Sequence, residues 1–425
     1  MTSAYPPSWY AASTTPLPVQ PTLVGRINCD VCVLGAGYTG LACALELAEA
    51  GYRVVVLEAR RIGWGASGRN GGQAIVGFGC GERKLEALVG ADDARRMFDL
   101  SREGLDWLHG RLARHDIQAH WRPGHATVPL KPRQQRELQA MVEHFNTRYD
   151  HPVQWWDRQQ LRGTLASDHY LGALYDPISG HLHPLAYALG LGRAAIEAGV
   201  QVFEQSEVTT LVRGARPLFK TAQGEVHCDF AVLAGNALLH GIAPELESRI
   251  MPVGTYIAAT APLGEDGARG LIGNDMAVAD TAWALDYYRL SHDHRLLFGG
   301  RASYSGRDPR DLQGIMRRRI AGVFPQLREV PLEHVWGGLI DISLNRAPHW
   351  GRLQPNLYFA QGFSGHGVVA TGLAGKLIAQ AIAGQAQRLD LFAKIGHAPF
   401  PGGQALRTPL LVAAMGWYKL RDALW

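Results

Sequence analysis

Asp30-Val31-Cys32-Val33-Leu34-Gly35-Ala36-Gly37-Tyr38-Thr39-Gly40-Leu41-Ala42-Cys43-Ala44-Leu45 is the stretch that decides how this chain folds. Asp30 to Leu34 is a short, mostly apolar run, which suits a strand buried in a parallel sheet. A glycine turn follows at once. Leu41 to Ala50 then has helical composition and stops at Gly51, and Arg53 to Leu57 is a second strand closed by Glu58. Strand, turn, helix, strand and acid in this order form a dinucleotide-binding unit. Gly35 permits the tight turn, Gly37 lets the backbone approach a pyrophosphate, and Gly40 allows close helix–strand packing. Ala36, Tyr38 and Thr39 complete the turn, whose free N–H groups lie at the positive end of the helix. Glu58, followed by Ala59 and Arg60, is placed to accept the hydrogen bonds of an adenosine ribose.

The unit alone does not separate one dinucleotide from another; the next segment is more informative. Arg60 to Gln73 packs five glycines together with Ser67, Arg69, Asn70 and Gln73. A simple nicotinamide domain would enter a helix here, whereas a second donor-rich loop suits an extended cofactor with flavin-ring contacts to satisfy. Gly65, Ala66, Ser67, Arg69, Asn70, Gly71, Gly72 and Gln73 are therefore candidate contacts to FAD. The plainer alternative is an exposed glycine loop. Further along, a helix from about Pro184 to Ala198 precedes strands over Gly199–Phe203 and Val208–Leu211, then a hairpin into Phe230–Asn236. Val208, Gly235 and Asn236 join the candidates. Near the C-terminus, Tyr358 to Gly367 reads as strand and loop, followed by a small-residue helix through Ala383. The loop Gly362-Phe363-Ser364-Gly365-His366-Gly367 would aim N–H groups and a helix dipole at the flavin. Its glycines could equally serve close helix packing.

Composition narrows the remaining classes. Lys and Arg number 42 against 38 Asp and Glu, with no basic block, so nucleic acid is not an expected partner. Met1 to Pro21 lacks the basic and apolar regions of a signal peptide. No apolar run approaches the ~20 residues of a membrane span, so a cytoplasmic protein is expected. Cys29 and Cys32 have the spacing of a redox or zinc motif, but no second pair follows. Alternation along a strand would put them on opposite faces, so we read them as structural thiols. His181 and His183 lack partner acids, so no metal is expected.

The chain resembles the FAD-dependent D-amino-acid-oxidase-like superfamily, which includes sarcosine and glycine oxidases, and within it the bacterial γ-glutamylputrescine oxidases. The resemblance is carried by Cys29–Gly40, Val54–Gln73, Ser179–Leu185, Ala234–Ala237, Leu285–Leu290 and Gln361–Gly367. It implies an α/β (α+β) fold, with a Rossmann-like FAD-binding domain and an interleaved substrate domain on a mixed or antiparallel sheet. The FAD domain would comprise residues 26–80, 160–245 and 335–425, the substrate domain 81–159 and 246–334, with 1–25 as an N-terminal extension. It further implies oxidation of a primary amine, most closely γ-glutamylputrescine, to the aldehyde with ammonia and hydrogen peroxide. The partners are then a small-molecule amine and O2, and the oligomeric state stays open.

His366 and Gln73 are the candidates beside the reacting centre, and Tyr288 and Trp336, with Tyr287, for an aromatic wall suited to an amine. A lone histidine and strand aromatics are, in general, more often core residues. Arg289 or Arg301 could pair with a glutamyl carboxylate, or either could equally be a surface residue. Some relatives tether the flavin covalently through a C-terminal cysteine or an N-terminal-domain histidine. Here the last cysteine is Cys228 and Gly63–Gln73 holds no histidine, so the FAD is expected to be non-covalent. Two alternatives stand beside this reading. One is an oxidase or quinone-linked dehydrogenase of a secondary amine or amino acid, the dehydrogenase being motivated by the amphipathic tail Pro409–Trp425. The other is a flavin-binding subunit without turnover.

Overall fold

The computed structural model describes residues 4–282, 285–303 and 309–401, with 301–303 as backbone only; the Pro409–Trp425 tail and the Arg301 side chain lie outside it. The quoted stretch forms the strand Gly25–Leu34 and the helix Tyr38–Glu49, and Val54–Leu57 lies parallel to the first strand. All four residues of Val54–Leu57 are buried, as its unbroken β-branched and leucine content requires. Around this pair grows an eight-stranded sheet. Its main path runs His349–Gln354, Leu357–Gln361, Gly224–Leu233, Gly25–Leu34, Val54–Leu57, Gln201–Phe203. Every neighbouring pair on that path is parallel except the edge pair His349–Gln354 and Leu357–Gln361. The helices Tyr38–Glu49 and Gly367–Ile382 cross closely on one face: a Cβ on Gly375 would stand 2.6 Å from the Thr39 carbonyl oxygen.

A second, nine-stranded sheet is mixed. Its path runs Leu332–Ser343, Ile250–Thr260, Leu296–Ser303, Tyr287–Leu290, Ala277–Asp280, Arg122–Val128, Gly172–His181, Gln73–Ala74. Gln73–Ala74 leads out of the second glycine loop, so that loop connects the two sheets. Gly172–His181 and Leu332–Ser343 also pair in this sheet, so its strands cross the residue boundaries drawn from the sequence. The N-terminal segment is packed rather than appended. Trp9 and Tyr10 are buried, the Tyr5 hydroxyl donates to the Ile62 carbonyl at 2.7 Å, and Gln20 donates its N–H to Glu204.

One expectation is corrected. Cys29 and Cys32 do not lie on opposite faces but share one apolar cluster with Cys228. The N–H groups of both Asp30 and Val31 donate to the Arg53 carbonyl, and this irregularity resets the alternation of the strand. All three thiols are free and buried, and burial, with the neighbouring Cys228 thiol, pushes Cys32 well above its ordinary value.

Candidate functional site

A cavity of about 590 Å³ runs between the two sheets. At one end lies the glycine turn. Gly35 adopts φ +102°, and a Cβ there would meet the Ala234 carbonyl oxygen at 2.9 Å. A Cβ on Gly40 would stand 1.9 Å from the Gly35 carbonyl oxygen, so this position admits no side chain. Gly37 leaves open backbone beside Ser67, whose hydroxyl accepts the Tyr38 N–H at 3.0 Å. Glu58 lines the cavity, and its two carboxylate oxygens accept the Ala36 and Arg60 N–H groups, each at 2.8 Å. Burial pushes its carboxyl above the ordinary value. Gly37, the N-cap, has no side chain to cap the following helix, so the helix N-terminus opens on the cavity.

Most of the remaining candidates converge on the same space. Tyr38, Thr39, Ala59, Arg60, Gly65, Ala66, Ser67, Asn70, Gly71, Gln73, Val208, Gly235 and Asn236 line it. So do Phe363, Ser364, Gly365, His366 and Gly367. The Asn70 side chain fastens the second loop, donating to Ala66 and Ser67 carbonyls and accepting the Gly72 N–H at 2.8 Å. Gln73 lines the wall and donates its side-chain amide to the Val278 carbonyl at 3.0 Å. His366 is the N-cap of Gly367–Ile382 without a side-chain cap bond, so a second helix N-terminus faces the cavity. Burial, then the nearby Arg346, pushes His366 down to about 4, which keeps it neutral near pH 7.

Seven of the cofactor-binding and catalytic candidates do not line the cavity. Ala36, Gly40 and Gly72 support it from behind, and Gly362 supplies a left-handed turn at φ +79°. Arg69 lays its guanidinium 3.9 Å from the Trp64 ring centroid, and burial lowers it to about 10. Tyr288 points to the other side of its sheet, parallel to Phe298 at 5.5 Å and edge-on to Phe324. Trp336 is buried, donates its ring N–H to the Arg69 carbonyl and meets Tyr10 edge-on. The aromatic plate in the cavity wall is Tyr287, held between Gly71 and Gly299, where a Cβ would lie within 2.5 Å of its ring. His181 and His183 are engaged by Asp275 and by Ser13 and Thr14. Among the described residues no cluster of three or more His, Cys, Asp or Glu is arranged for a metal.

Several lining residues carry no motif. His125 is 4% exposed, its Nε2 has no partner, and burial pushes it down to about 4. Strand alternation puts Thr127 beside it on the cavity side, with Ala126 and Val128 in the core behind. Thr255, Ile340 and Ile342 complete the wall opposite. Asp341 accepts the Phe363 N–H at 3.0 Å, the Gly362 N–H and the Asn236 amide, so one carboxylate fixes the loop around the second helix N-terminus. Burial pushes that carboxyl up. The alternation of His125 and Thr127 with apolar neighbours was the available signal for the first pair. Nothing local marked Asp341.

Two helix N-termini whose N-cap residues make no side-chain cap bond, a buried acid and a glycine-lined passage fit an extended dinucleotide, and the sequence comparisons agree. Residues 30–381 match the family model of FAD dependent oxidoreductases. The chain belongs to this family. It is 43% identical over 418 residues to γ-glutamylputrescine oxidoreductase of Escherichia coli (strain K12), covering 98% of both chains. It is likewise 43% identical to a probable oxidoreductase of Haemophilus influenzae, over 95% of this chain and 94% of that one. The crystal structure of glycine oxidase from Geobacillus kaustophilus superposes with a TM-score of 0.74 at 19% identity, covering 87% of this chain and 98% of that one, which establishes the shared fold. The protein is thus an FAD-dependent oxidoreductase built on mixed sheets, and no helix among the described residues is long and apolar enough to cross a membrane.

Proposed function

We propose that this flavoenzyme oxidises the free terminal amine of γ-glutamylputrescine, or of a related γ-glutamylated polyamine, in cytoplasmic polyamine catabolism. The observation that carries this is the near-full-length identity to the E. coli protein named for that substrate. Bound FAD would supply the redox chemistry, as acceptor for the hydride equivalent of the carbon bearing the amine and as donor of two electrons to O2, which becomes hydrogen peroxide. Water then converts the imine to aldehyde and ammonia.

The chain's own residues bind and prepare. Glu58 would hold the adenosine ribose, the N–H groups after Gly37 the pyrophosphate, and Asn70–Gln73 with Gly362–Gly367 the ring system. We divide the molecule by its sheets, the eight-stranded one for FAD and the nine-stranded one for substrate. Ile340, Ile342 and Val253 give the substrate end an apolar patch of wall, and contact with it disfavours a charged ammonium and so favours the neutral amine that hydride loss requires. His125 and His366, neutral near pH 7, add no competing cation there. Tyr287 offers a flat wall to the alkyl chain. In this reading Tyr288 and Trp336 are supports, and the FAD is held without a covalent bond.

An anaerobic reduction screen tests the proposal. Rapid bleaching of the flavin by γ-glutamylputrescine, weak bleaching by putrescine and none by sarcosine or D-amino acids is expected, with stoichiometric peroxide in air. Bleaching by sarcosine alone would overturn the substrate, and turnover only with a dye or quinone would overturn the oxidase. Yellow colour remaining in acid-precipitated protein would overturn the non-covalent linkage.

A further inference from the structure

Arg289 sits one peptide behind the cavity wall. It is 3% exposed, and its guanidinium donates from Nε to the Gly71 carbonyl at 2.7 Å. It also donates to the Leu290 carbonyl at 3.0 Å and to the Tyr10 hydroxyl at 3.2 Å. Every one of these acceptors is neutral, and among the described residues no carboxylate pairs with Arg289. Gly72 has no room for a side chain partly because this guanidinium occupies the space: a Cβ would stand 2.8 Å from it. Gly71 and Gln73, on either side of Gly72, line the cavity. Arg289 is therefore occupied and does not line the cavity, unlike the carboxylate receptor expected from the sequence.

A buried cation without a counter-ion is unfavourable, and the three hydrogen bonds alone do not require one. A neutral amide could brace the Gly71 carbonyl as well. The charge itself therefore calls for a use. Its field reaches the surrounding groups. After burial, it is a further cause that pushes His181 and His183 down, and it also acts on Tyr10, Tyr38, His120 and His292. With those histidines held toward the neutral form, no neighbour in the set cancels it.

We propose that Arg289 is a positioning residue that also sets the charge of the flavin site. It fixes the Gly71–Gly72 backbone and places an uncompensated positive charge behind the wall, favouring the cofactor when hydride uptake gives it an extra negative charge. The inference rests on the FAD reading but not on the identity of the amine.

The test uses sulfite, which adds to oxidised flavins and makes them negatively charged, so no substrate is needed. Sulfite Kd and two-electron midpoint potential are measured on purified holoenzyme for wild type, Arg289→Gln and Arg289→Lys. Arg289→Gln is expected to raise the sulfite Kd about tenfold and lower the potential by the corresponding ~30 mV. Arg289→Lys, which keeps the charge, should stay near wild type at neutral pH. Equal shifts in both variants, or none in either, would overturn the role of the charge. Should Arg289→Gln lose its flavin, the pH dependence of Arg289→Lys decides. Its potential should match wild type at low pH and fall below it as the new amine deprotonates, whereas a constant offset between about pH 6 and 10 overturns the inference. A wild-type protein that binds no FAD would defeat the FAD reading before this one is reached.

Discussion

At the glycine-turn end of the cavity, Gly35, Gly37 and Glu58, with Gly40 behind them, come from one short stretch of chain. At the other end, His125, Thr255, Tyr287, Asp341 and His366 come from segments spread along most of it. The first end is made of backbone: close approaches that forbid a Cβ, and a helix terminus whose N-cap glycine has no side chain. The second is made of side chains that strands of a mixed sheet carry to one place. Backbone sites tolerate almost no substitution, whereas side-chain sites are adjustable. The glycine-turn end should therefore be stiff to mutation and shared among relatives with different substrates, with specificity set at the sheet end.

The sharpest way to break that contrast is Gly40→Val. The new side chain collides with the Gly35 carbonyl, so a loss of more than about 3 kcal/mol and colourless protein are expected in thermal melts and absorbance spectra. Folded, yellow Gly40→Val protein would mean the turn is far softer than its geometry.

Acid should attack the other end. His125 has a folded pKa of about 4, below the unfolded value near 6.5. Between these values the unfolded chain binds a proton that the folded chain refuses. Its contribution to stability is thus complete above about pH 6.5 and falls by up to about 3 kcal/mol as pH drops to about 4. Urea titrations at several pH values should show this slope, and it should flatten in His125→Gln.

Glu58→Gln keeps the size but removes the charge and one acceptor for the Ala36 and Arg60 N–H groups. FAD affinity should fall roughly ten- to a hundredfold, read by fluorescence on dilution. Asp341→Asn replaces a carboxylate oxygen at the Gly362 and Phe363 N–H groups, so kcat/KM should drop about tenfold with FAD still bound. The smallest change is the most discriminating. Tyr288→Phe should alter stability by less than about 1 kcal/mol and leave KM unchanged, whereas Tyr287→Ala should raise KM about tenfold. A reversal of that pair would return the aromatic wall to Tyr288.

Adjacent tyrosines show what could be read in advance. Strand alternation states that Tyr287 and Tyr288 face opposite ways, but not which of them faces the cavity. Only the packing of Tyr288 on Phe298 and Phe324 answers that. The same gap affected Trp336, whose ring turns to Tyr10, and the N-terminal segment, whose Pro-rich composition gave no sign of burial. Cys29 and Cys32 show a local failure: an ideal strand period was assumed where the backbone is irregular.

By itself the sequence determined the dinucleotide unit, its glycine-lined second loop and the distant Gly362–Gly367 turn, because each is specified by neighbours in the chain and by backbone that excludes side chains. Tertiary structure alone decided which residues share the sheet end of the cavity, how Asp341 reaches the Gly362 loop, and that Arg289 is buried with no carboxylate partner among the described residues. These depend on which strands pair and which face of each is covered. No local pattern carries that information, since a side chain's surroundings are set by segments far away in sequence.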